Sequence, residues 1–162
     1  MKRIGILTFY FKNYNCGGVL QAYALQRVID SFEGYKSEQI CFVRDRKKLY
    51  IRKLQELLTD PSQITYMLKV RTNEKLNAAQ TKNNYSIENS IRKYDEFMDS
   101  IPHSMVVNSI TSKELNEFYD AFIVGSDQVW NPVYVPMDFF FDFVDEKKPK
   151  LSYAASIRVN QL

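Results

Sequence analysis

Short apolar runs alternate with helix-length segments at the start of the chain. Residues 3–10 form a run rich in Ile, Leu and Phe, which is typical of a central strand buried on both faces. A glycine-containing break at residues 13–18 follows, and apolar residues then recur at helical spacing to about Phe32. A second run of β-forming residues covers 37–43. Since a helix-sized connection separates the two runs, the pattern predicts a β-α-β unit with parallel strands.

A helical pattern dominates the middle of the chain. Between about residues 45 and 100, apolar residues recur at helical spacing in three stretches, with a polar segment at 72–84 before the last one. We expect this part to be a helical excursion from the sheet. Its basic cluster at 44–53 is interpreted as a solvated helix face.

The remaining elements complete a recognisable fold class. Thr111 and Glu114 have the spacing of a capping box that opens a short helix. Further strands are predicted at 120–124, at the aromatic run 138–144 and at 150–155. This order of elements predicts an α/β fold with a Rossmann-like parallel sheet and flanking helices.

The size of the chain fits one domain. Its 162 residues are 45% hydrophobic, enough to build a core without metal or disulfide staples. The last residues directly follow a predicted strand, without the helix that usually covers such a sheet. We therefore expect residues 1–162 to be a single Rossmann-like domain, the N-terminal half of a longer protein whose C-terminal lobe is absent.

Charge and residue types exclude several classes of partner. The 22 basic and 19 acidic residues balance too closely to indicate a nucleic-acid partner. No apolar run approaches the ~18 to 20 residues of a membrane span, and the chain starts in a strand pattern rather than a signal peptide, so we expect a cytoplasmic protein. Cys16 and Cys41 form no CxxC and have no histidine near them, so no metal site, disulfide or cofactor is predicted. The single histidine, His103, is interpreted as solvated.

The loop after the first strand is a candidate ligand site, because ligands of open parallel sheets bind beyond the carboxyl ends of the strands. Gly17 and Gly18 allow close backbone approach, and the helix start between Asn15 and Gln21 suits a phosphate or carboxylate. The GxGxxG pattern is absent, so a dinucleotide is not implied. The alternative is a tight strand-to-helix turn that merely requires glycine, with Gln21 facing water.

The loop after the strand at 120–124 is the second candidate. It combines a carboxylate, two amides, a hydroxyl and the only tryptophan of the chain within the residues Gly125, Ser126, Asp127, Gln128, Trp130 and Asn131. Such groups suit a carbohydrate, because Asp and Asn bind neighbouring hydroxyls while an indole covers the apolar face of a sugar ring. The alternative is an Asx-turn next to a tryptophan that fills the core.

Both loops lie in segments that resemble the polysaccharide pyruvyl transferase family. The first segment reads Asn-Cys-Gly-Gly-Val-Leu-Gln-Ala-Tyr-Ala-Leu-Gln at 15–26, although Gly-Ala is common in the family where this chain has Cys-Gly-Gly. The second reads Tyr-Asp-Ala-Phe-Ile-Val-Gly-Ser-Asp-Gln-Val-Trp-Asn at 119–131 and is followed by Lys-Leu-Ser-Tyr-Ala-Ala-Ser at 150–156. The family is similar to two-domain glycosyltransferases of the GT-B type. The resemblance implies transfer of a pyruvyl group from phosphoenolpyruvate to a sugar hydroxyl, as a ketal, in cell-surface polysaccharide synthesis.

The resemblance also implies roles for particular residues. Asp127 is the candidate catalytic residue, which would contact or deprotonate the sugar acceptor, and the glycines at 17 and 18 would hold an anion. The arginine and histidine residues that bind the donor belong to a second half of the family's members, so we expect this chain alone to be inactive. Two alternatives stay open: a sugar-binding or interaction module without activity, including a decayed fragment, and half of a nucleotide-sugar glycosyltransferase.

Overall fold

The computed structural model describes residues 1–43, 84–130 and 137–157. The chain divides into two compact units, one formed by residues 1–44 and 94–162 and the other by residues 45–93. The first unit contains the sheet. Of the second, the described residues are the opening turns of one helix. The predictions for residues 44–83, including the basic cluster, lie outside the described residues.

Five parallel strands form one sheet. They are β1 (Lys2–Leu7), β2 (Tyr35–Phe42), β3 (His103–Val107), β4 (Ala121–Asp127) and β5 (Lys150–Ala155). Their order is β3-β2-β1-β4-β5, and every neighbouring pair is parallel. With the flanking helices α1 (Cys16–Asp30), α2 (Asn84–Ser100) and α3 (Leu115–Phe118), this confirms the predicted α/β Rossmann-like fold. Because β1 pairs with both β2 and β4, the strand order reverses between β1 and β4, which is where such sheets bind ligands.

The core lies on both faces of the sheet. Alternating residues of β1 and β4, such as Ile4, Ile6 and Ala121, pack with Leu25 and Ile29 of α1. The opposite residues, among them Leu7, Phe122 and Val124, pack against aromatic residues from the segment that precedes β5. Since β1 is covered on both faces, its unbroken apolar run is explained.

The prediction of a strand at 138–144 is wrong. Met137–Phe140 is a 3-10 turn, and irregular turns lead from it towards β5. Phe139, Phe141 and Phe143 are buried, and their rings pack around Phe122 and Phe42 on one face of the sheet. Phe141 has a φ of 61°, which a strand does not allow. The alternation of buried and exposed aromatic residues therefore comes from a loop that covers the sheet.

The capping box predicted at Thr111 is also wrong. The side chain of Thr111 caps no helix, because its Oγ1 accepts a hydrogen bond from the backbone N–H of Asn108, at 3.1 Å. The Asn108 side chain in turn accepts from the N–H groups of Ile110 and Thr111. This closed Asx-type turn leads into a 3-10 turn, Ser112–Glu114, before α3 begins.

Helix α2 confirms the last of the three helical stretches expected between residues 45 and 100. Among the described residues, no helix is long and apolar enough to cross a membrane.

Candidate functional site

The two candidate loops meet at the carboxyl edge of the sheet, where β1 and β4 lie side by side. Gln21 of α1 donates from Nε2 to Oγ1 of Thr8, at 3.0 Å, and Thr8 donates from Oγ1 to the carbonyl of Ser126, also at 3.0 Å. Ser126 closes the ring by donating from Oγ to Oε1 of Gln21. We call these residues the Thr8–Gln21–Ser126 ring. It joins the two candidate loops, which are neighbours at one edge of the sheet.

The glycines of the first loop have different roles. Gly18 is buried, and a Cβ there would lie 2.4 Å from Nδ2 of Asn13, so a side chain at this position would displace that of Asn13. Asn15 caps α1 by accepting a hydrogen bond from the N–H of Gly18, at 3.2 Å. Gly17 is exposed, and a Cβ there would only touch Oδ1 of Asn15 at 3.4 Å. A tight turn thus explains Gly18, whereas Gly17 leaves the helix start accessible to an anion.

The end of β4 holds its backbone in an unusual conformation. Gly125 has a φ of 115°, and a Cβ there would lie 2.0 Å from the carbonyl oxygen of Tyr153 in β5. The peptide bond to Ser126 is cis, and Asp127 has a φ of 97°. The carbonyl of Asp127 accepts hydrogen bonds from the N–H and the hydroxyl of Ser156, at 3.0 and 3.3 Å. Strand β5 therefore fixes the backbone at the position of the candidate catalytic residue.

The carboxylate of Asp127 is half-buried at this edge. Its Oδ1 accepts a hydrogen bond from the N–H of the next residue, Gln128, at 2.7 Å. Its Oδ2 has no hydrogen-bond partner among the described residues. One oxygen of the carboxylate is thus engaged with the local backbone.

Trp130 contributes its ring to an aromatic stack. The indole Nε1 donates to the carbonyl of Phe139, at 3.2 Å, and the ring lies parallel to that of Phe140, with an interplanar angle of 7° and centroids 5.7 Å apart. Trp130 is half-buried against the core, whereas Phe140 keeps 52% of its surface exposed. Of the two stacked rings, Phe140 therefore offers the larger exposed aromatic surface.

Most of the sequence-predicted site residues lie at this edge. Gly125, Ser126, Asp127, Gln128 and Trp130 follow each other at the end of β4, and the ring joins them to Gln21. Asn131 lies outside the described residues.

Thr8 and Phe140 were missed by the sequence reasoning. Thr8 could have been recognised from the sequence, because it is the first polar residue after a run of buried apolar ones. Nothing in the sequence indicated Phe140 as a site residue, since its segment resembled a strand. Within the described residues, no group of three His, Cys, Asp or Glu side chains could hold a metal ion.

The fold and this edge together define an α/β protein with a candidate ligand site at the β1–β4 switch point of a parallel sheet. Comparison with known protein families, with curated proteins and with solved structures found no match to this chain.

Proposed function

We propose that this chain is the acceptor-binding half of a cytoplasmic polysaccharide pyruvyl transferase-like protein, similar to one lobe of a GT-B glycosyltransferase. In the proposed reaction, two sugar hydroxyl oxygens bond to C2 of phosphoenolpyruvate and inorganic phosphate leaves. One hydroxyl proton ends on C3, which becomes a methyl group, and the other leaves with the phosphate. The observation that carries the proposal is the half-buried carboxylate of Asp127 at the switch point, next to the Thr8–Gln21–Ser126 ring, with no hydrogen-bond partner for its Oδ2 among the described residues.

The proposed roles follow from the chemistry of each group. Asp127 accepts the proton of the attacking sugar hydroxyl, as a general base must lie within hydrogen-bond reach of that proton. Gln128 and Asn131 are assigned to neighbouring hydroxyls. The exposed ring of Phe140, which stacks on the indole of Trp130, covers the apolar face of the sugar. The accessible start of α1 at Gly17 holds a carboxylate or phosphate.

Sugar binding to the purified chain tests the acceptor side directly. Glucose, galactose, mannose and N-acetylglucosamine are titrated into isotope-labelled protein, and backbone amide shifts are recorded by NMR. We expect saturable shifts at residues 125–130 and at Thr8 and Gln21 for at least one sugar. If every sugar leaves these amides unmoved, or if shifts occur only elsewhere, the acceptor-site assignment is wrong.

A sugar-binding module without activity is the second candidate, because one oxygen of Asp127 is already used in a local turn. The two candidates predict different outcomes for phosphoenolpyruvate. Assay of a protein in which this chain is joined to a donor-binding lobe separates them. A pyruvate ketal detected by mass spectrometry supports the enzyme, and sugar binding without a ketal supports the module.

A further inference from the structure

A second pocket, of about 310 Å³, lies between the β1–α1 loop, β2 and the C-terminal end of α2. Its walls come from residues at 10–14, from Cys41 and from residues 95–103, all within the unit that contains the sheet. None of these residues belongs to the site proposed at the end of β4. The volume is at the lower end of the range of ligand pockets, so an occupant would be a small molecule.

One wall of this pocket is acidic. Asp95 and Asp99 are four residues apart on α2 and therefore lie on one face of the helix, one turn apart. Both line the pocket together with Lys12 and His103. His103 places its Nδ1 at 2.9 Å from the carbonyl of Ser104. Along this wall the carboxylates outnumber the Lys12 ammonium group two to one.

The other walls are aromatic. Phe11 and Tyr14 line the pocket beside the carboxylates. The Nζ of Lys12 already lies 5.6 Å from the centre of the Phe11 ring, so this ring accepts a cation in the folded protein. Partial burial, together with the neighbouring carboxylate of Asp95, raises the pKa of the Tyr14 phenol. The aromatic rings and the carboxylates thus line the same pocket.

The floor of the pocket is closed and unreactive. Tyr10 and Cys41 are each 1% exposed, and the Tyr10 hydroxyl is held by donating to the carbonyl of Met98. Burial, with a smaller effect of Asp99, raises the pKa of the Cys41 thiol to about 12, so it stays protonated near neutral pH. A neutral thiol and a thioether beside aromatic rings favour an organic cation with apolar substituents. Although Asp95, Asp99 and His103 line the pocket, no group of three His, Cys, Asp or Glu side chains within the described residues could hold a metal ion.

We propose that this pocket binds a small organic cation, with its ammonium head between Asp95 and Asp99 and against the rings of Phe11 and Tyr14. The inference is independent of the function proposed for the edge at Asp127. The carboxylates supply the charge, and the aromatic rings replace part of the water around the cation.

Choline and its uncharged carbon analogue 3,3-dimethylbutan-1-ol are the probes, since they share size and shape and differ in charge. Each is titrated into the full isotope-labelled chain at constant ionic strength, and amide shifts are followed by NMR. Choline should give saturable shifts at Tyr14, Asp95 and Asp99, and the uncharged analogue should bind at least tenfold more weakly. Asp95→Asn combined with Asp99→Asn should weaken choline binding at least tenfold.

Asp142→Asn is the matched control, because Asp142 is an exposed carboxylate that does not line the pocket. It should leave choline binding unchanged. Equal binding of the two probes, an effect of Asp142→Asn as large as that of the double variant, or no saturable shift would each overturn the proposal. Circular dichroism establishes that the variants fold. If the double variant does not, Asp99→Asn alone takes its place, because Asp99 is exposed near the helix end.

Discussion

Asp127 allows its structural role to be separated from its proposed chemical role. Asp127→Asn keeps an oxygen that can accept from the N–H of Gln128, and Asn tolerates the positive φ of 97° at this position. The free energy of unfolding should therefore change by less than about 0.5 kcal/mol. Asp127→Ala loses that hydrogen bond and places a non-polar side chain in the left-handed region. We expect a loss of about 1–2 kcal/mol, or about 2–8 °C in Tm.

Both variants should bind sugar more weakly than the unchanged protein, although their free energies of unfolding differ. A hydroxyl hydrogen-bonded to a carboxylate is worth about 1.5–3 kcal/mol, so both substitutions should weaken sugar binding by about tenfold or more. In a protein joined to a donor-binding lobe, Asp127→Asn should lower kcat/KM by about 10² or more, the usual scale for a positioned acid–base group.

Thermal unfolding by circular dichroism and sugar titration by NMR measure both effects. An Asn variant that is stable and binds sugar normally would show that Asp127 is not part of the site and only orders the local backbone. An Ala variant as stable as the unchanged protein would show that the hydrogen bond to Gln128 contributes nothing.

Three further predictions concern the stability of the folded chain. Gly125→Ala should destabilise the fold by about 2–4 kcal/mol in urea unfolding, because its Cβ would lie 2.0 Å from a main-chain oxygen. Gly34→Ala is its control: φ is 85° there and nothing lies within 4 Å of the new Cβ, so only about 1 kcal/mol should be lost. Thr8→Val removes the hydroxyl that makes two hydrogen bonds of the ring, so it should lower the free energy of unfolding by about 1–3 kcal/mol and shift the amide signals of Gln21 and Ser126. Unmoved amide signals would show that the ring is not formed. Burial raises the pKa of Cys41 to about 12 and that of Tyr10 above its ordinary value of 10.0, so the folded chain holds these protons more tightly and its free energy of unfolding should fall as pH rises above about 9. Unfolding free energies that stay constant between about pH 9 and 11 would contradict this.

The elements that could be predicted from the sequence are those with local causes. The unbroken apolar run of β1 marks a strand covered on both faces, and the glycine break before α1 marks a turn between Asn15 and Gly18. The strand pattern at 138–144 had a different cause. Its alternating phenylalanines face the sheet from a loop, and an alternating pattern does not distinguish a strand from such a cover.

The detailed geometry of the site could not be predicted for a different reason. The hydrogen bond between Thr8 and Ser126 joins residues 118 positions apart, and the bond between Ser126 and Gln21 joins residues 105 positions apart. The sequence places these residues at one edge of the sheet, because the ends of parallel strands share an edge. It contains no signal for which side chains then pair, since that depends on rotamers chosen within the folded edge.

The backbone at the end of β4 is held from both sides of the strand. On the side of β1, the carbonyl of Ser126 accepts a hydrogen bond from the hydroxyl of Thr8. On the side of β5, the carbonyl of Asp127 accepts hydrogen bonds from the N–H and the hydroxyl of Ser156. Gly125 makes this possible, because only a residue without a side chain can approach the carbonyl of Tyr153 so closely. The hydrogen bonds from Thr8 and Ser156 are accepted by the main-chain carbonyls of Ser126 and Asp127. They hold the backbone that carries the Asp127 carboxylate, and no described residue bonds to its Oδ2, so the support of the proposed acidic group does not depend on that oxygen.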